Sequence, residues 1–235
     1  MEEEKKEVPK KRHRLRLAII IIVAVLLVLI IGIGATGLYS IPGISAVFGM
    51  NKPKDLGVET SAEDLASIKK KIPMKIVGDP ADYASGADDL FSGTLEVDTS
   101  TNNEEITSWL QRFEGDDPIF SDVQVKKIEG GLEISTMLNR YIKAPVYVKV
   151  MVDQVATNTI DLEIDQAKLG IFTVPENYQE QAEEFFEDKI NELMNEIPGF
   201  TMKNYEIHEG VSKFKGTFPA EVSRSRQGWS ALLDL

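Results

Sequence analysis

Cysteine is missing altogether, and histidine and tryptophan occur only twice each in 235 residues. Without a thiol there is no disulfide staple, no thiolate nucleophile or metal ligand, and no lipidated cysteine anchor. Positive charge is also scarce, with 26 Lys and Arg against 38 Asp and Glu, a net charge of −12. Such an acidic surface repels phosphate backbones, so nucleic acid is not an expected partner. The chain has no G-x-S-x-G, H-E-x-x-H, Walker-type or dinucleotide-binding glycine pattern. His13 sits in a basic cluster and His208 beside a turn, the settings of solvated side chains. Asp161, Glu163 and Asp165 alternate with Ile160, Leu162 and Ile164, which marks the wet face of a strand more simply than a cation site. Asp116-Asp117-Pro118 reads as a turn. No catalytic residue, metal site or cofactor is therefore expected, and the chain is expected not to be an enzyme. A glycosidase working through paired carboxylates is the enzyme class that remains conceivable.

What the chain does have is a long uncharged run over residues 17–38, beginning LAIIIIVAVLLVLIIGIG. A bilayer core of roughly 30 Å takes about 20 helical residues, so the run predicts a single transmembrane helix. Before it, residues 1–16 hold seven cations (Lys5, Lys6, Lys10, Lys11, Arg12, Arg14, Arg16) and four acids. After it, Lys52 and Lys54 are the only basic residues up to position 60. Basic residues beside a span stay inside, so the amino terminus is expected in the cytoplasm and the remainder outside, at the cell membrane. A cleaved signal peptide is the alternative, with Gly32, Gly34 and Ala35 as small exit residues. Without the tail, 19 basic residues face 34 acidic ones, a net of −15 for the rest.

Residues 39–55 mix Pro42, Gly43, Gly49 and Pro53 with Ile41, Ile44, Val47 and Phe48. They are expected to form a juxtamembrane linker, resting on the membrane or docking onto the domain. Residues 56–222 are expected to be one extracytoplasmic α+β domain. Its first part echoes itself: LGVETS at 56–61 and LEVDTS at 95–100 each precede a helical pattern. Ser61 with Asp64, and Thr101 with Glu104, have capping-box spacing. The apolar helix positions are Leu65, Ile68 and Ile72 in one, and Ile106, Trp109, Leu110 and Phe113 in the other. Elsewhere the period is two, through Val123 and Val125, through Leu132, Ile134, Thr136 and Leu138, and over 144–152 and 159–165. Turns at 129–131, 156–158 and 208–210 join these strands into an antiparallel meander with one covered face. The cover is expected to be a helix after Pro175, with Tyr178, Ala182, Phe185, Phe186, Ile190, Leu193, Met194 and Ile197 on one side and Pro198-Gly199 at its end. A last hairpin follows, ending at Pro219. The tail 223–235, with Trp229 and three leucines, packs back on the domain or docks a partner.

The segment 168–175, KLGIFTVP, followed by an amphipathic helix, a P-G-F break, a strand, an E-G turn and FKGTFP, resembles the YpmS-like and LmeA-like families of bacterial envelope proteins. The resemblance covers about 145–222 and is carried by structural punctuation. It implies a lipid-binding module of TULIP-like fold: a curved antiparallel sheet packed on a long amphipathic helix, with a groove for acyl chains. The residues expected to touch a ligand there are Val148, Val150, Phe172, Val174, Phe185, Phe186, Ile190 and Leu193. Burying acyl CH₂ groups at about 0.8 kcal/mol each would hold even a short chain. The expected function is thus non-enzymatic binding of lipid or another long apolar ligand beside the membrane. The alternative is a scaffold for another envelope protein.

Overall fold

The computed structural model describes residues 50–77, 90–112, 119–140 and 142–223, together with positions 26, 28, 35, 36 and 45. The expected span at 17–38 therefore lies almost wholly outside the described residues, as do Phe113, the Asp116-Asp117-Pro118 turn and the tail from 224 with Trp229. Positions 26, 28, 35 and 36 are helical, and Leu26 and Val28 are more than half exposed. Among the described residues, no helix is long and apolar enough to cross a membrane.

Strong period-two alternation and short turns produce the meander. β4 (Phe120–Ile128), β5 (Gly131–Leu138), β6 (Ala144–Ala156), β7 (Thr159–Leu169) and β8 (Phe172–Thr173) pair in sequence order, all antiparallel. Asn158, at φ +54°, makes the tight β6–β7 turn in a left-handed conformation that asparagine tolerates. The final hairpin, β9 (Thr201–His208) and β10 (Val211–Phe218), is joined by β3 (Leu95–Asn102) in a second sheet of order β3–β10–β9. Gly216 sits at its register shift, where a Cβ would lie 1.8 Å from the Thr201 carbonyl oxygen, so no other residue fits. A small third sheet, β1 (Lys75–Val77), β11 (Glu221–Ser223) and β2 (Phe91–Ser92), contains one parallel pair, β1 with β11. The architecture is α+β with mainly antiparallel pairing as expected, divided among the described residues into three sheets where the alternation pattern implied one.

Among the described residues, three helices of eight residues or more accompany them: α1 (Ala62–Lys71), α2 (Asn103–Gln111) and α3 (Glu176–Glu196). α1 has the expected capping box of Ser61 and Asp64. α2 begins one residue later than its sequence spacing implied, with Asn102 as cap and Glu105 reaching back. Thr101 is not free to cap, because its Oγ1 is 3.0 Å from Ser212 Oγ and accepts from Lys127 Nζ at 2.8 Å. The inward face of α2 is also not the apolar one. Glu105, Thr107 and Ser108 are buried, while Trp109 is 38% exposed.

That inversion has a structural cause, since α2 lies along a sheet edge. Asn103 Oδ1 accepts from Lys127 N–H (2.8 Å), Thr107 Oγ1 accepts from Val125 N–H (3.0 Å), and Gln111 Nε2 donates to Val123 C=O (2.9 Å). These helix positions are four apart and the β4 positions two apart. Four helical residues rise about 6 Å and two strand residues about 6.7 Å, so the rungs match. α3 repeats the device on β7. Glu183 accepts from Ile164 N–H (2.5 Å), Glu187 from Leu162 N–H (3.3 Å), and Asn191 both accepts from Ile160 N–H and donates to Ile160 C=O (2.9 Å each). Both long edges of the five-stranded sheet are thereby closed by helix side chains, which removes the usual templates for stray strand pairing. α3 was expected to cover the sheet's apolar face. Instead it spends its polar side on the edge, and none of its residues is fully buried.

Candidate functional site: an open apolar trough

Cross-strand partners point to the same side of a sheet, so the register identifies the apolar face directly. Leu132, Val150 and Ile164 form one row, Ile134, Val148 and Ala167 the next, and Val152 pairs with Leu162. Val150, Ile160 and Ala167 are buried, but Leu132, Ile134, Val148, Val152, Leu162 and Ile164 are only half-buried. In the second sheet Leu95, Thr99, Phe214, Phe218 and Tyr205 share a face and are likewise half-buried. Phe200, Phe214 and Phe218 form a ring cluster with centroids 4.9–6.0 Å apart.

The two apolar faces open on a common interior. Lys127, on the β4 side of the first, reaches Thr101 on the second, with its Nζ 2.5 Å from Thr101 O and 2.9 Å from Asn102 O. The sheets are joined along β9 by isolated bonds. Gln154 donates to Met202 C=O (3.1 Å) and accepts from Tyr205 N–H (2.6 Å), Gly130 N–H meets Ile207 C=O (3.0 Å), and Asn158 Oδ1 takes Met202 N–H (2.6 Å). The result is a trough with two apolar walls, hinged along β9, with α3 along one rim.

The eight residues expected to contact a ligand divide by position. Val148 and Val150 stand on the trough wall. Phe172 pairs with Leu169 and so extends the same face, 46% exposed; Val174, half-buried, is held by its N–H on Ala167 C=O (2.9 Å). Ile190 and Leu193 are half-buried on α3, with Ala182 and Met194. Phe185 and Phe186 stay together, edge to face at 5.4 Å, but are 47% and 51% exposed, with Tyr178 at 59%. The residues missed are the flanking walls, Leu132, Ile134, Leu162 and Ile164 on one side and Tyr205, Phe214 and Phe218 on the other. Their period-two alternation was visible, but it gave no hint that the faces would be left half covered.

Two surface clefts contain none of the eight residues, although the larger shares Val152 and Tyr205 with the trough walls. One, about 500 Å³, sits at the β6–β9 junction between 152–157 and 203–208; the other, about 220 Å³, lies between 50–54 and 145–170. His208, at the rim of the larger, is exposed between Glu129 (3.0 Å) and Glu206 (3.5 Å), and hydrogen bonds to these carboxylates raise its pKa. Asp161, Glu163 and Asp165 are all exposed, with Asp165 paired to Lys149 at 2.5 Å. Among the described residues, no three His, Asp or Glu side chains converge as a metal site.

Charge is buried at one end of the interior. Burial pushes Lys127 down to about 8, against the pull of Glu105. Burial alone would raise Glu105, but hydrogen bonds from Lys71 (2.7 Å), Ser67 (2.5 Å) and the Asn102 N–H (3.0 Å) outweigh it and hold the carboxyl below its usual range. On the opposite face of the first sheet, burial and a hydrogen bond to Glu133 push Tyr147 up to about 12. There Leu56 and Val58, at the start of the expected domain, pack on Tyr147, and Lys54 of the expected linker lies over its ring.

No protein-family model, curated protein or solved structure matches this chain. The likeness to the YpmS-like and LmeA-like families rests on the punctuation residues alone.

Proposed function

We propose that this is a non-enzymatic, membrane-tethered binding protein whose trough takes up the hydrocarbon of a lipid or another long apolar molecule. One observation carries the proposal. A contiguous apolar wall, with Leu132, Ile134, Val148, Val152, Leu162 and Ile164, is left half-buried although 21 residues of amphipathic helix run beside it. A helix that existed to complete a core would turn its apolar stripe onto that wall. This one turns Glu183, Glu187 and Asn191 to the strand edge, and six of the wall's side chains stay short of full burial. Covering the surface that these six aliphatic side chains keep in contact with water is favourable at about 25 cal/mol per Å² removed from water. The run at 17–38 would hold the trough within reach of its ligand's source, outside the cytoplasmic face.

The test is native mass spectrometry of residues 50–235 purified without detergent. A lipid-sized adduct is expected, and Val148→Trp, which fills the wall, should remove it while the circular dichroism spectrum is kept. A protein that is consistently empty and also fails to take up a fluorescent fatty acid overturns the proposal.

A further inference from the structure

The smaller cleft lies on the face of the sheet away from the trough, and its chemistry is different. Its walls are Met50, Pro53, Pro145, Val146 and Tyr147, and three lysines line it: Lys52, Lys54 and Lys168. No carboxylate lines it. Glu133, on the same sheet face as Tyr147, is already engaged by the Tyr147 hydroxyl and by Lys54 at 3.4 Å. Lys54 also lies over the Tyr147 ring, 3.8 Å from its centroid. Lys52 and Lys168 have no ion-pair partner among the described residues. On a chain whose net charge beyond the tail is −15, three lysines around one cleft are a local reversal of sign.

Position gives the reversal a meaning. Gly170, on the cleft wall, is followed by Ile171, whose N–H donates to Thr36 C=O at 3.1 Å. Thr36 lies near the outer end of the apolar run. Taken as a span, that run is about 33 Å long at 1.5 Å per residue, which brings Thr36 to the outer boundary of a hydrocarbon core of roughly 30 Å. Ile171 and Phe172, 55% and 46% exposed, flank the same point. The cleft then sits in the headgroup layer, about 5–8 Å thick on each side of the core. Amphiphilic walls and unpaired ammonium groups at that height suit a phosphate with carbon attached.

We propose that the cleft formed by Lys52, Lys54, Lys168 and Tyr147 binds a phosphate anion, supplied by the headgroup of a net-anionic phospholipid. It rests on the membrane-tether part of the proposed function but not on the trough, which faces the other way. Lysine recognises phosphate as a point charge, so the discrimination expected is by net charge and not by headgroup shape.

The test uses the full chain in nanodiscs of equal phosphatidylcholine and phosphatidylglycerol, with native mass spectrometry of the lipid retained on release. At least fivefold enrichment of phosphatidylglycerol is expected, and Lys52→Gln/Lys168→Gln should abolish it. Calorimetric titration with glycerophosphoglycerol and with inorganic phosphate separates the sources. Tighter binding of the former, weakened at least tenfold in the double variant, supports the headgroup. Equal binding of both, lost in the variant, with no enrichment in nanodiscs, keeps the anion site and assigns it to free phosphate. No difference between the parent and the variant in any arm overturns the proposal. Headgroup enrichment persisting in Val148→Trp, with the acyl adduct lost, would separate this cleft from the trough.

Discussion

Asn191 is the sharpest place to test whether helix side chains hold the sheet edge. Its amide faces the Ile160 peptide as a neighbouring strand would, accepting from the N–H and donating to the C=O, each at 2.9 Å. Asn191→Ala leaves both groups without a partner beside a residue only 7% exposed. An orphaned polar group costs about 1–3 kcal/mol, and water can reach this rim, so the low end applies to each and the total is about 2 kcal/mol. At a urea m-value of about 2 kcal/mol/M, the midpoint of unfolding falls by about 1 M. Asn191→Asp has the same shape and keeps the acceptor, but it places a carboxylate oxygen against the Ile160 carbonyl oxygen. It should cost at least as much as alanine at pH 7 and recover below about pH 4, where the protonated acid again donates. The assay is urea unfolding of the full chain in detergent, followed by far-ultraviolet circular dichroism, with amide exchange at Ile160, Leu162 and Ile164 as the local readout. If alanine lies within 0.5 kcal/mol of the parent and Ile160 exchanges no faster, the edge contacts contribute nothing and the reasoning fails.

The same logic gives two further outcomes. Thr107→Val keeps shape at the other edge but strips both Val125 N–H and C=O of their partner, at side chains only 0% and 3% exposed, so it should cost about 3 kcal/mol by the same assay, more than the wetter Asn191 site. A loss equal to or smaller than that of Asn191→Ala would refute the desolvation argument. Glu105 has its folded pKa held below 4.5, so its stabilisation is complete above about pH 4.5 and is lost as pH falls through the folded value. Glu105→Gln should therefore cost about 2 kcal/mol at pH 7 and progressively less in acid. A cost that does not change with pH would show that the charge is not what binds Lys71 and Ser67.

Much of this architecture was written in local sequence patterns. The meander, its turns at 129–131 and 156–158, the Ser61 cap, the last hairpin and the extent of α3 all follow from periods of two and 3.6 and from glycine, asparagine and proline placement. What did not follow was the role of polar residues spaced four apart. Asn103, Thr107 and Gln111, and Glu183, Glu187 and Asn191, look like an ordinary solvated helix face when the helix is considered alone. Only when a strand edge with a matching rise lies opposite does that face turn inward, and the sequence does not say which strand will have a free edge. The same blindness hid the trough. Alternation told which residues share a face, and that part held for Val148 and Val150. How much of the face the helix would cover depends on where its polar side is spent, a tertiary fact. Phe185 and Phe186 show the cost: adjacent residues point about 100° apart on a helix, so one of them at least has to leave the seam, and both stand about half exposed.

The seam along β9 has a mechanical consequence. A continuous ladder would lock the two walls at one angle, because every rung would have to stretch together. Here the walls meet along β9 through Gln154, Asn158 and a few single backbone bonds, which can lengthen or swap one at a time, and they are pinned at the β4 end by Lys127 on Thr101 and Asn102. Meanwhile α2 and α3 stiffen the five-stranded wall along both its long edges. A stiffened plate on such a seam can change its angle to the other sheet about the Lys127 end without either sheet refolding.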